Sequence, residues 1–164
     1  MKKDVLAGAV AGLSGGLVAS FVMTEFQMAV MYLSKGKESK KERSGDSEPA
    51  NVKAAEAIST TVFGHKLTKA EKEPAGEAMH YAMGGTSGLM YGIASEIMPM
   101  ASAGAGLPFG AAVWVVADDV VVPALGLAKP ASQFPVSDHL YALASHLVYG
   151  LTTDMVRRAV RHVL

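Results

Sequence analysis

The chain has 164 residues, of which half are hydrophobic and 18% are charged, a charged fraction below the roughly 25% usual for soluble domains. Its formal net charge is zero, so no overall electrostatic argument favours a nucleic acid partner. Because cysteine is absent, disulfides, thiolate metal ligands and cysteine nucleophiles are excluded. The length predicts one domain, residues 1–164.

The first predicted element covers about residues 5–33 and begins with 19 residues that carry no charge. That length is enough for a helix to cross the hydrocarbon core of a bilayer. Gly8, Gly12 and Gly16 recur every four residues and share one face, which lets helices approach closely in a membrane. A cleaved signal peptide is the alternative, because the start is basic and small residues follow. We expect a retained helix that brings Glu25 near the far membrane surface.

Residues 34–75 form the one long polar segment. Its first part mixes charges of both signs without apolar periodicity, as in a solvated linker. After Pro49, the apolar or small side chains share one helical face, which predicts an amphipathic helix on the membrane surface or capping the bundle; they are Val52, Ala55, Ile58, Ser59 and Val62. Thr68 and Glu71 have the spacing of a capping box, and Pro74 fits the opening turn of the next helix.

The second predicted span, about residues 76–98, contains the sequence EAMHYAMGGTSGLMYGIASE. On a helix, three glycines lie between two ionisable residues at four-residue spacing; the set is His80, Gly84, Gly88, Gly92 and Glu96. In a soluble helix each glycine would cost about 1 kcal/mol relative to alanine. In a membrane the same residues allow close backbone packing. The pattern therefore favours a transmembrane helix packed along its glycine edge.

The third predicted span covers about residues 106–127 and repeats the spacing with Gly106, Gly110, Trp114 and Asp118. Its valine runs are also compatible with a buried strand. The length of the segment and the lack of a strand partner favour a membrane helix kinked near Pro123.

The fourth predicted span covers about residues 137–162, with Ser137 as its N-cap. His146, Gly150, Asp154 and Arg158 form a fourth stripe at four-residue spacing. Near the end of this helix are Arg157, Arg158 and Arg161, which are placed to extend into lipid headgroups.

Together these elements predict an all-α fold, an integral membrane bundle of four transmembrane helices with a peripheral amphipathic helix. Four spans place both termini on one side of the membrane and the long loop on the other. The loop holds more Lys and Arg than the termini, which by itself would place the loop in the cytoplasm. Because the loop's basic residues are interleaved with acidic ones, and arginines end the last helix, we expect cytoplasmic termini.

The chain resembles the YagU-like family of small bacterial inner-membrane proteins. The resemblance is carried by the glycine-rich first helix, by MHYAMGGTSGLMYGIASEIMP, by the polar pair and Pro123 in the third helix, and by SHLVYGLTTDMVRRAVRH. It implies an inner-membrane location, several membrane spans and a sizeable loop outside the cytoplasm. It supplies no catalytic residues and no molecular activity.

Antiparallel packing of the four spans would bring six ionisable side chains into the half of the membrane nearest the long loop. They are Glu25, His80, Asp118, Asp119, His139 and His146. Ionisable groups within membrane spans are costly, and they are usually paired or functional.

Four roles stay open for these residues. A metal site would use imidazoles and carboxylates, and Glu77 and His80 have the spacing of a bundle metal motif, although a second such motif is absent. A haem could be held by His80 and His146. A relay for protons or ions would suit acids and histidines at graded depth. Alternatively, the groups hydrogen-bond one another to hold the bundle in register, each bond contributing about 0.6 kcal/mol.

At the opposite end, Glu96, Asp154, Arg157 and Arg158 predict a second polar layer, in which Asp154 and Arg158 form a salt bridge one helical turn apart. No nucleophile, base and orienting group occur at a recognisable spacing, so a hydrolase is not expected, and an enzyme acting on lipid is a third possibility without support in the sequence. The sequence favours a polytopic membrane protein that handles protons or a metal ion. The alternative is an accessory subunit that assembles or stabilises a larger membrane complex. Its glycine-rich faces would then bind other membrane subunits or a second copy of the chain. The lipid bilayer is the one partner both alternatives share.

Overall fold

The computed structural model describes residues 4–34 and 48–164, and within these ranges the chain is helical without a strand. Five helices occur in the described residues: α1 (Val5–Ser34), α2 (Ala50–Phe63), α3 (Lys69–Ile97), α4 (Leu107–Ala124) and α5 (Val136–Val163). Short 3-10 turns at Pro99–Ser102 and Ala131–Gln133 lie in the connections before and after α4. Most of the predicted charged linker lies outside the described residues. The all-helical prediction is confirmed for the part of the chain that is described.

Helix α1 is the centre of the fold, because α3 and α5 both pack against it, while α4 packs on α5 and α2 on α3. The α1–α3 interface is built from glycines. Gly12 lies against Gly88, and Gly16 lies against Gly84, so the two helices run antiparallel. With no side chains between them the backbones are in direct contact, which adds van der Waals contact that does not depend on excluding water.

A second glycine contact joins α4 to α5. Gly106, the N-cap residue of α4, and Gly110 within α4 lie against Gly150 of α5, again with antiparallel helices. Next to this contact, the ring of Phe109 stacks on Tyr91 of α3 at 4.2 Å between centroids. The four-residue stripes seen in the sequence are therefore the faces along which these helices meet within the chain.

Among the residues that the structure describes, two helices are long and apolar enough to cross a membrane, α1 and α4. In the most apolar window of α4 only 6% of the residues are buried. The core helix of a soluble protein would instead be mostly covered, so the valines of α4 form an unusually exposed apolar surface. Membrane association is therefore indicated by two helices. Helices α3 and α5 are long enough to cross a membrane, but they are not apolar enough to be identified as spans in the same way.

The central part of α4, Trp114–Val121, is a π-helix that returns to α-helical geometry at Val122–Ala124. A π-helical segment therefore precedes Pro123, near which the sequence predicts a kink. π-Helical turns are rare and often occur at functional sites. Asp118 and Asp119 lie within this segment.

Three local predictions concern helix ends. The capping box is confirmed, since the Glu71 carboxylate accepts hydrogen bonds from the Thr68 backbone N–H at 2.7 Å and hydroxyl at 2.8 Å. The start of α3 is therefore Lys69, and Pro74 lies inside the helix, not in its opening turn. The prediction that Ser137 caps α5 is wrong: the helix begins at Val136 after Pro135, and the Ser137 hydroxyl donates to Asp138.

Helix α2 covers α3 and reaches the end of α4. Val52 is buried against Gly76, the Asn51 amide donates to the Gly76 carbonyl at 2.9 Å, and the Lys53 ammonium donates to the Leu127 carbonyl at 3.1 Å. The far end of the predicted apolar face is uncovered, with Val62 66% exposed. The first half of α2 therefore caps the bundle, while its second half presents apolar side chains outward.

Candidate functional site

A cavity of about 500 Å³ lies between α1, α3, α4 and α5, with the first turns of α2 forming part of its wall. Its ionisable wall residues include His80 from α3, Asp118 from α4 and His146 from α5. The wall is otherwise mostly apolar or small. Three of the six predicted site residues therefore meet at one cavity, although they are far apart in the sequence.

An acid and a histidine face each other across this cavity: the Asp118 Oδ2 and His146 Nε2 atoms are 3.8 Å apart. The other ring nitrogen of His146, Nδ1, donates to the Ala142 carbonyl at 2.9 Å. A carbonyl can only accept, so this bond assigns the proton to Nδ1 and leaves Nε2 facing the carboxylate. Protonation at Nε2 would convert the contact into an ion pair, because the imidazole would then be a cation.

His80 approaches the cavity from the other side. Its Nε2 lies 3.3 Å from the Ser20 carbonyl of α1, and its ring makes an edge contact with Tyr81 at 5.8 Å between centroids. Ser20 is fully buried and its hydroxyl donates to the Gly16 carbonyl. The glycines of the α1–α3 interface thus place His80 beside α1, next to the cavity.

The neighbouring acid on α4, Asp119, faces a different histidine. Its Oδ1 lies 4.0 Å from His139 Nδ1, and the ring of Trp114 contacts His139 edge-on at 6.2 Å between centroids. Neither Asp119 nor His139 is part of the cavity wall. Two consecutive acids of the π-helical segment therefore contact two histidines of α5, and one of these pairs faces the cavity.

Glu25 does not join these residues: it is an exposed residue of α1 and is absent from the cavity wall. Glu77, the other half of the proposed metal motif, is exposed as well. Among residues 4–34 and 48–164, no three His, Asp or Glu side chains are grouped closely enough to hold a metal ion. The metal and haem roles stay predictions, and the geometry of the described residues adds no support to them.

Several wall residues carried no functional signal in the sequence. Met23, Met79 and Met83 line the cavity, and apolar side chains such as these are equally compatible with lipid contact or core packing. The Tyr149 hydroxyl donates to the Gly84 carbonyl at 2.6 Å and so joins α5 to α3 beside the cavity. The four-residue spacing of Met79 and Met83 was the one available sign that they share a face.

At the opposite end of the bundle, the predicted second polar layer is present. Asp154 is almost fully buried and accepts hydrogen bonds from Arg157 at 2.8 Å and Arg158 at 2.7 Å. Glu96 accepts from Arg161 at 2.8 Å, which joins α3 to α5. The expectation that all three arginines extend into headgroups is wrong for Arg157 and Arg161, whose side chains are 8% and 9% exposed because they pair with buried carboxylates.

Comparison with known proteins gives one family match. A family model described as a protein of unknown function (DUF1440) matches residues 49–155. The matched region contains α2, α3, α4 and most of α5, and it includes Asp118 and all cavity-lining residues outside α1. No curated protein and no solved structure matches the chain.

Proposed function

The chain belongs to the DUF1440 family, and from its cavity we propose that it is a polytopic membrane protein that takes up protons through the Asp118–His146 pair. In this proposal α1, α3, α4 and α5 cross a bacterial inner membrane, the termini face the cytoplasm, and the cavity opens toward the long loop. The observation that carries the proposal is the 3.8 Å approach of a carboxylate and an imidazole from two helices on the wall of one cavity.

Membrane placement is supported by the exposure of apolar side chains on the two most hydrophobic helices. In α1, Leu6 is 76% exposed and Phe21 is 53% exposed; in α4, Val116 is 56% exposed. Contact of these apolar surfaces with water is unfavourable, whereas contact with lipid chains has no such free-energy cost.

Spanning by α3 and α5 is supported by their packing against α1. Gly8, Gly12 and Gly16 of α1 contact α3, and Gly15 contacts α5 at Thr153. If α1 crosses the bilayer, helices packed along its length lie at the same depth. Their lower hydropathy then has a physical reason, because their polar residues face one another and the cavity.

Proton uptake is supported by the state of the Asp118 carboxylate. It is 43% exposed at the cavity, and among the described residues it makes no hydrogen bond within 3.5 Å. Structural acids in membrane helices are normally paired, as Asp154 is at the other end of the bundle. An acid on a cavity wall, with histidines on two neighbouring helices, suits proton exchange better than a fixed structural bond.

The alternative role, an accessory subunit that binds partners through glycine faces, has less support. The glycines of α1 are covered by α3 and α5, and those of α4 are covered by α5. A partner would therefore have to use other surfaces of the described bundle, such as the valines of α4.

The proposal is tested by proton uptake into proteoliposomes that contain a pH-sensitive dye. After an acid pulse outside, vesicles with the full-length protein should acidify faster than empty vesicles, and Asp118→Asn or His146→Gln should remove most of this difference. Asp119→Asn is the matched control, since it makes the same change at the next residue, away from the cavity wall.

The proposal would be overturned if the Asp118→Asn and His146→Gln variants took up protons at the rate of the original protein. Equal loss in the Asp119→Asn control would also overturn it, because the effect would then not depend on the cavity. Gel filtration of each variant in detergent checks that the comparison is made on folded protein.

A further inference from the structure

We propose that the cavity binds a lipophilic monovalent cation, an organic amine or onium ion with an apolar body, with Asp118 as the counter-charge. The inference rests on the membrane placement in the proposed function and adds a ligand class for the same site. It is carried by the combination of one acid, aromatic rings and thioethers on a wall whose described residues include no Lys or Arg.

The charge of the wall favours a cation. Asp118 is the one carboxylate among the described wall residues, and none of those residues is Lys or Arg. The Asp118 carboxylate therefore supplies the counter-charge that this wall offers to a ligand. In a low-dielectric bundle an uncompensated carboxylate is costly, so a bound cation would gain from pairing with it.

The apolar part of the wall favours a lipophilic body over a hydrated ion. Met23, Met79 and Met83 supply flexible, polarizable side chains from α1 and α3, and Val113 and Leu125 supply branched ones from α4. Methionine-rich surfaces adapt to ligands of different shape. The volume of about 500 Å³ lies within the roughly 300–1,000 Å³ of small-molecule sites. A bare metal ion would leave most of this space unfilled.

Aromatic rings provide a second attraction for a cation. Tyr141 and Tyr149 of α5 both line the cavity. The Tyr149 hydroxyl is already engaged by the Gly84 carbonyl, so the part of this side chain left for a ligand is its ring. Tyrosine faces attract ammonium and related cations, most strongly where water is excluded.

The test uses two probes of nearly the same shape and opposite charge, tetraphenylphosphonium and tetraphenylborate. Binding of each to the detergent-purified full chain is measured by equilibrium dialysis. The phosphonium should bind and the borate should not. Asp118→Asn should weaken phosphonium binding at least ten-fold, Asp118→Glu should keep it, and Asp119→Asn should leave it unchanged.

Equal binding of the two probes would overturn the inference, because charge would then not be recognised. Unchanged phosphonium binding by Asp118→Asn would overturn it too, and so would binding lost equally in Asp118→Asn and Asp118→Glu. Failure of the proposed function is separable. If proteoliposomes show no proton uptake but phosphonium binding depends on the charge at position 118, the cavity is a cation site without proton transport. If uptake depends on Asp118 but neither probe binds, this inference fails and the proposed function stands.

Discussion

Gly12 of α1 and Gly88 of α3 face each other so closely that a Cβ on either residue would overlap the backbone of the opposite helix. A Cβ built on Gly88, for example, would lie 2.6 Å from the Cα of Gly16. Backbone atoms cannot rotate away as a side chain can, so any larger residue must separate the two helices. This contact fixes the distance between α1 and α3, and therefore the position of His80 beside Ser20.

Overpacking at Gly88→Ala should accordingly cost about 1–3 kcal/mol of stability. The gain in helix propensity from replacing glycine, about 1 kcal/mol, offsets part of this cost, so the variant should be less stable than the original protein by up to about 2 kcal/mol. Chemical denaturation in detergent micelles measures the change. Ala82→Leu, at an exposed position of the same helix, is the control and should change stability little. A Gly88→Ala protein as stable as the original would show that the helices can separate without cost.

Asp154 supports a second prediction, since it is 1% exposed and pairs with Arg157 and Arg158. Asp154→Ala would leave the buried Arg157 guanidinium without its carboxylate. Breaking a buried pair by removing one partner costs about 3–5 kcal/mol. The variant should therefore unfold at much lower denaturant than the original protein. Glu77→Gln, which neutralises an exposed acid, should shift the midpoint only slightly, and equal shifts in the two variants would contradict the structural role of Asp154.

Much of the helix packing could be predicted from residue spacing. Glycines four residues apart identified the faces that meet, and the same spacing identified the Asp154–Arg158 pair. The predicted start of α3 lies too far along the chain, because Pro74 also suits the opening turn of a helix. The capping box at Thr68 marks the true start. The π-helical turn that contains Asp118 and Asp119 had no sequence signal beyond the nearby Pro123.

The candidate site was only partly predictable, because residue spacing gives the depth of a side chain along its helix but not the direction in which the helix turns it within the bundle. Glu25 has a suitable depth but the wrong direction. It lies five residues after Ser20, which turns it by about 140° away from the face that contacts His80. His80, Asp118 and His146 satisfy both conditions and meet at the cavity. The methionines on the wall were not predictable, because the sequence does not show whether an apolar side chain faces lipid or a cavity.

The capping box at the start of α3 makes a prediction about pH. Hydrogen bonds from the Thr68 backbone N–H and hydroxyl, with a smaller contribution from His65, lower the pKa of Glu71 from 4.5 to about 2. Because the pKa is lower in the folded state, the cap is fully stabilising above the unfolded pKa near 4.5 and loses this contribution as pH falls toward 2. An NMR titration of the Glu71 side-chain carboxyl should give a pKa near 2. In Thr68→Ala the backbone N–H remains, so the pKa should move only part of the way back toward 4.5, and an unchanged pKa would contradict the contribution of the Thr68 hydroxyl.

The number of membrane spans can be tested directly, since the chain contains no cysteine. Single cysteines at Thr61, Ala103 and Lys129 would mark α2, the α3–α4 connection and the α4–α5 connection, three positions that are exposed. With four spans, a membrane-impermeant maleimide should label Thr61→Cys and Lys129→Cys from one side of sealed vesicles and Ala103→Cys from the other. If α1 and α4 alone crossed the bilayer, Thr61→Cys and Ala103→Cys would instead be labelled from the same side. The side that labels Ala103→Cys also reports whether the termini face the cytoplasm.

The contact between Gly76 and α2 predicts how the cavity is covered. Gly76 touches Val52, and a Cβ at position 76 would lie 2.6 Å from the Val52 Cγ2 atom and 3.4 Å from its Cα. Gly76→Leu should therefore push the first turn of α2 outward, including Ala50, Asn51 and Ala54, which form part of the cavity wall.

In a protein that also carries Ser87→Cys on the cavity wall, Gly76→Leu should raise the rate at which a water-soluble methanethiosulfonate reagent modifies the thiol, by several-fold or more. Ala78→Leu adds the same bulk at an exposed position of α3 and should leave the rate unchanged. The partly exposed ion pairs between Lys72 and the acids Glu48 and Glu56 contribute little to holding α2 in place, so high salt alone should not reproduce the effect. Identical labelling rates with and without Gly76→Leu would mean that reagents reach the cavity by a route that α2 does not cover.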